Sequence, residues 1–201
     1  MYIQKLVLST LFMGALFSTA SATAATVDTI DATSPASNVF PNYFAPGGAE
    51  TFDSPYYREY GEDWGWSHNA ITTPYTSAAL SISAFDVDRA DGEVDIIQGF
   101  ETSTSTWANI GTLNGANDIY SFTTFDLGAN WADEIGSGLQ VRILIDTLDE
   151  GWLVTLAKSV LTTDGAPIGN PNPGAVPVPA AAWLFGSAVL GFFGMRRKSQ
   201  A

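Results

Sequence analysis

Cysteine is absent from the 201 residues, which excludes disulfides, thiolate-held zinc and a cysteine nucleophile together. Histidine occurs once, at His68, so chemistry that needs two imidazoles is excluded as well. Charged residues make up only 14% of the chain against 46% hydrophobic ones, which is not the composition of a disordered acidic segment. Basic residues are scarcest of all in the centre. Only Arg58, Arg89, Arg142 and Lys158 lie between Asp28 and Asp164, a stretch that holds all 21 acids, so four charges against 21 leave −17. Such a surface repels nucleic acid and anionic lipid headgroups and attracts cations, and no nucleic-acid partner is expected. No internal repeat, nucleophile elbow, phosphate loop or zinc motif occurs.

The two ends carry the clearest signals. One positive charge at Lys5, an apolar run from Leu6 to Phe17 and small residues from Ser18 to Ala25 predict a secretory signal peptide over 1–24. Ala22-Thr23-Ala24 is the first choice of cleavage site and Ala20-Ser21-Ala22 the second, with signal peptidase the processing partner. The run is short for a membrane span, and no charged stop follows it.

At the other end, a Gly/Asn/Pro-rich linker over 165–175 leads to Val176-Pro177-Val178-Pro179, an apolar stretch over 180–195 and the triplet Arg196-Arg197-Lys198. Sixteen residues at about 1.5 Å each reach roughly 24 Å, a little less than a hydrocarbon core. The basic triplet is a cytoplasmic stop by the positive-inside rule, so the acidic body faces outward.

This layout resembles the PEP-CTERM protein-sorting tail of Gram-negative bacteria: a proline-containing motif, a short apolar helix and a terminal basic cluster. Val176, Pro177, Val178, Pro179, Arg196, Arg197 and Lys198 carry the resemblance, and Val178 stands where the family's Pro-Glu-Pro motif has its Glu. The resemblance implies transient insertion in the inner membrane, recognition by an exosortase, and cleavage with release or transfer to the cell surface. It also implies a setting of exopolysaccharide production, with the tail as substrate and not catalyst.

The body, 25–164, shows no convincing helical period. Leu80-Ser-Ile-Ser-Ala84 alternates strictly, and Leu139, Val141, Ile143 and Ile145 share one face of a strand. Trp152–Ala157 follows the turn Leu148-Asp149-Glu150-Gly151, so these two strands are expected to form a hairpin, with Trp152, Val154 and Leu156 on the buried face. Ile119–Phe125, Trp107–Leu113 and Trp64–Ile71 are further strands. The pattern predicts an all-β fold, a single antiparallel β-sandwich, with a closed β-barrel as the alternative.

Two clusters stand out chemically. Phe85–Ile97 reads as a hairpin with Arg89-Ala90-Asp91-Gly92 as its loop, which sets Asp86 and Asp88 against Glu93 and Asp95 and places Asp91 at the tip. Like charges across a ribbon repel unless water or a cation separates them, so these five acids are candidate calcium ligands; the other reading is a solvated hairpin end. Phe52–His68 is dense in aromatics and acids. Within it Trp64 and Trp66, two apart, are expected in the core, and Tyr56, Tyr57 and Tyr60 are candidate glycan contacts.

Adjacent Ser67 and His68 point to opposite strand faces and make no catalytic triad, and paired acids are too frequent to single out a glycosidase. A non-enzymatic, exported surface or matrix protein associated with polysaccharide is therefore expected. A calcium-dependent carbohydrate-binding or adhesion module is the alternative, and a secreted glycan-active enzyme is third.

Overall fold

β-branched and aromatic residues at alternate positions form nine strands among the described residues, which in this computed structural model are 24–46 and 52–165. They are β1 (Thr26–Asp31), β2 (Tyr57–Arg58), β3 (Trp64–Ser67), β4 (Ala78–Phe85), β5 (Ile96–Glu101), β6 (Thr106–Thr112), β7 (Tyr120–Leu127), β8 (Gln140–Leu144) and β9 (Val154–Thr163). The sorting motif, the apolar stretch 180–195 and the basic triplet lie outside the described residues, as does the leader up to residue 23. Among the described residues no helix is long and apolar enough to cross a membrane.

Two antiparallel sheets result, and they do not close into a barrel. One runs β1-β9-β4-β7, with β2 pairing to the first residues of β9; the other runs β3-β8-β5-β6. Their inner faces share one core. Leu80 and Ile82 of β4 and Leu156 and Leu161 of β9 belong to the same buried cluster as Val141 and Ile143 of β8 and Ile97 of β5. Trp64 and Trp66 are buried there as expected, with Phe44 edge-on to both rings. A 3-10 turn (Ala129–Trp131) runs into the short helix α1 (Ala132–Ser137), and Ile135 seats in the core.

The strand pattern is legible in the residues, but two expected hairpins do not form. β8 and β9 lie in opposite sheets, because the 145–153 segment crosses between them. Asp146, at φ 43°, turns the chain, and its Oδ2 accepts hydrogen bonds from Gly151 N at 2.8 Å and Trp152 N at 3.1 Å. The inward faces of the two strands thus meet across the core and not side by side. Trp152 precedes β9 and is half-buried, whereas Val154 and Leu156 are buried.

The acidic segment is likewise a crossing loop, since β4 ends at Phe85 in one sheet and β5 begins at Ile96 in the other. The serines of β4 are a further departure from simple alternation. Ser83 pairs with Phe122 on one side and Lys158 on the other, and the Lys158 ammonium lies 5.2 Å from the Phe122 ring centre, so the small side chain is closed over. Ser81 is buried too and meets Thr124 Oγ1 at 2.9 Å.

Candidate functional site

Antiparallel register assembles an outward-facing platform on the second sheet from residues far apart in the chain. Arg142 of β8 pairs with Gly65 of β3 on one side and Gln98 of β5 on the other, and Gln98 pairs with Asn109 of β6. Their neighbours in the ladder, Trp64, Ile143 and Ile97, point into the core, so this row points out. Arg142 Nε donates to Gln98 Oε1 at 2.8 Å, and Gln98 Nε2 donates to Asn109 Oδ1 at 2.6 Å. The chain of bonds fixes three side chains that would otherwise be free to rotate.

Aromatic rings flank this row. Phe100 pairs with Trp107, their ring centres 5.3 Å apart and edge to face, and the Arg142 guanidinium lies 4.5 Å from the Trp107 ring centre. At the opposite edge Val39 bridges to Trp66, and the next residue, Phe40, is 84% exposed. Between Phe40 and Trp107 runs a cleft of about 360 Å³, lined also by Gly65, Ser67 and Gln140. Flat rings beside amide and guanidinium donors suit a ligand with apolar C–H faces and a rim of hydroxyls.

The chemistry of the acidic loop differs from that of a solvated turn. Asp88 is 8% exposed, and Glu93 and Asp95 are fully buried. A fourth carboxylate, Asp146, joins them fully buried from the β8–β9 crossing, 51 residues from Asp95, and its N donates to Asp95 Oδ1 at 2.8 Å. Glu93 Oε2 accepts from the Asp88 amide. The Glu93 and Asp95 carboxyls face each other within hydrogen-bonding reach, a contact that is attractive only with a shared proton or a cation between them.

Burial pushes the Glu93 carboxyl up to about 9, and the facing Asp95 charge adds to the shift. Burial also raises Asp95 and Asp88, the latter with help from the charges of Asp86, Asp91 and Asp118. Asp86 and Asp91 do not join the buried group. Asp86, at φ 61°, accepts from Asp118 N at 2.7 Å, and Asp91 is exposed. Among the described residues, no group of three or more His, Cys, Asp or Glu side chains is placed so that it could hold a metal ion without movement.

A third constellation was not visible in the sequence. His68 Nδ1 lies 2.8 Å from Asp28 Oδ2, and its Nε2 lies 2.8 Å from Ser159 Oγ. The serine comes from β9 and not from the adjacent Ser67. Ser159 and His68 are both buried, so this is a network inside the sandwich.

Tyr56, Tyr57 and Tyr60 stand away from the platform. Tyr57 lies in β2, at the edge of the first sheet; Tyr56 is half-buried and Tyr60 is 54% exposed. Their neighbour Arg58 covers the Tyr43 ring at 3.7 Å.

No family model matches the chain, and no curated protein matches it. Solved structures do. A variant of a family 29 carbohydrate-binding module, prepared to probe ligand recognition, aligns with TM-score 0.41 and 10% identity over 74% of this chain and 99% of its own. The CBM36-1 domain of a multidomain xylanase from the hindgut metagenome of Trinervitermes trinervoides aligns with TM-score 0.38 and 11% identity over 72% and 100%. The coat protein of Tobacco streak virus follows with TM-score 0.27 and 18% identity over 55% and 74%.

Proposed function

We propose that this chain is an exported, non-enzymatic surface or extracellular-matrix protein that holds polysaccharide on the outer face of its β3-β8-β5-β6 sheet. The observation that carries the reading is the bonded row Arg142–Gln98–Asn109 lying against Trp107 and Phe100. Sugar C–H faces stack on the rings while fixed amides and the guanidinium meet the hydroxyls, and the pre-ordered row lowers the entropy cost of binding. The outward row itself, Arg142, Gln98 and Asn109 with Trp107 and Phe100, contains no carboxylate to serve as the acid and base of glycoside hydrolysis. The leader and the PEP-CTERM-like tail support the route: signal peptidase, a transient inner-membrane stage and an exosortase, with the acidic body outside.

Affinity electrophoresis through gels containing a panel of bacterial exopolysaccharides tests the reading. Retardation by at least one polymer is expected, weakened tenfold or more by Trp107→Ala and by Gln98→Ala at unchanged melting temperature. Binding that is indifferent to both substitutions, or absent across the panel, would reject the platform.

A further inference from the structure

We propose that the β4–β5 crossing loop, closed by Asp146, is a binding site for one hard divalent cation of the calcium type, independently of any polysaccharide on the sheet face. The first observation is the burial of four carboxylates on two linked crossing loops: Asp88, Glu93, Asp95 and Asp146, with the Asp88 amide on Glu93 Oε2 and the Asp146 amide on Asp95 Oδ1. Among the described residues no basic side chain forms an ion pair with them. The nearest in sequence, Arg89, spends its Nη1 on the main-chain oxygen of Glu93 at 3.2 Å.

The second observation is how their oxygens are used. Glu93 Oε2, Asp95 Oδ1 and Asp146 Oδ2 each accept backbone amides, which orients the carboxyl groups. The remaining oxygens, Glu93 Oε1, Asp95 Oδ2, Asp146 Oδ1 and Asp88 Oδ1, are buried and receive no donor from the described residues, although the Glu93 and Asp95 carboxyls face each other. Buried polar atoms are almost always satisfied; a shared proton would answer only the Glu93–Asp95 pair, so the Asp146 and Asp88 oxygens beside that pair point to a missing positive group.

A hard cation with flexible coordination supplies that charge. Calcium takes carboxylate oxygens in irregular numbers and completes its shell with carbonyls and water. The facing pair Glu93 and Asp95 is the entry point, and binding has to draw Asp146 and Asp88 toward it, since no three of these side chains are placed to hold a metal without movement. The ion also explains why a chain of such net charge keeps these acids inside: it neutralises the loops that tie the two sheets together.

The test uses the full-length chain in detergent, stripped with chelator and titrated with calcium chloride or magnesium chloride at matched ionic strength. One saturable calcium per chain is expected, with a rise in melting temperature of roughly 5–10 °C at a hundredfold excess over Kd. Glu93→Gln with Asp95→Asn removes the repulsion, so the double variant should fold without metal yet lose the calcium-specific rise. Asp86→Asn with Asp91→Asn should keep that rise. Equal shifts with both metals, no shift, or a calcium response that survives Glu93→Gln with Asp95→Asn would overturn the site and leave Glu93 and Asp95 as a pair sharing one proton.

Discussion

The His68 ring bridges Asp28 and Ser159, 2.8 Å from each, and so joins the two sheets across the interior. The carboxylate can only accept, so Nδ1 carries a hydrogen toward Asp28, while Nε2 shares a hydrogen bond with the Ser159 hydroxyl. Order and distances match a hydrolytic serine triad, but the surroundings do not. Ser159 is fully buried in register with Ile30 and Ile82, leaving no room for a carbonyl or an oxyanion. The three residues therefore act as a cross-link between β1, the end of β3 and β9. A fluorophosphonate probe should leave Ser159 unlabelled in the folded protein, and labelling there would refute the closed-network reading. Ser159→Ala should cost about 1–3 kcal/mol in urea unfolding, because the buried His68 nitrogen loses its hydrogen-bond partner.

The same network sets an acid limit on stability. Burial alone would raise the Asp28 carboxyl, but hydrogen bonds from His68 and Asn69 outweigh it and hold the group at about 2, below its ordinary 3.8. A depressed carboxyl stabilises the fold above its unfolded value and loses that contribution as pH falls toward 2. Asp28 sits at a partly open rim, so solvent screening trims the effect to about 1 kcal/mol. Urea melts at pH 4 and pH 2 should show this loss in the parent and not in Asp28→Asn; identical pH slopes would contradict it.

Glycine at 99 is required by packing. A Cβ there would stand 2.5 Å and 2.6 Å from ring atoms of Trp131, which is itself buried against the core. Gly99→Ala should destabilise by about 1–3 kcal/mol through displacement of that ring. Near-wild-type urea stability, with unchanged tryptophan fluorescence, would show that the ring has another place to go.

Val154→Asp tests the strand register. The side chain is 2% exposed in β9, and the new carboxylate would have no basic partner in the shared core. Loss of cooperative unfolding and of exported protein is expected. A soluble variant that melts like the parent would show that this face is not buried.

Neutralising Arg196, Arg197 and Lys198 tests the sorting tail. Without the stop, a short apolar segment is held poorly, and unprocessed precursor should accumulate away from the inner membrane. Cell fractions and processing that match the parent would reject the tail as a sorting signal.

Strand composition and much of the core were determined by the sequence itself, because period-two alternation is a local property of the pleat. Leu139, Val141, Ile143 and Ile145 are buried together, as are Trp64 and Trp66, and two antiparallel sheets follow from many such short segments. What no local pattern contains is which strand lies beside which. The same alternating faces are satisfied equally by hairpin neighbours or by partners across the core, and crossing loops at 86–95 and 145–153 chose the second. That choice carried Asp146 to Asp95 across 51 residues, and brought His68 to Asp28 and Ser159 across 40 and 91. It also laid Arg142, Gln98 and Asn109, from three different strands, in a single row. Local periodicity determines which residues turn inward; only the packing of whole sheets, where long-range contacts repay the entropy of closing the chain, decides which of them meet.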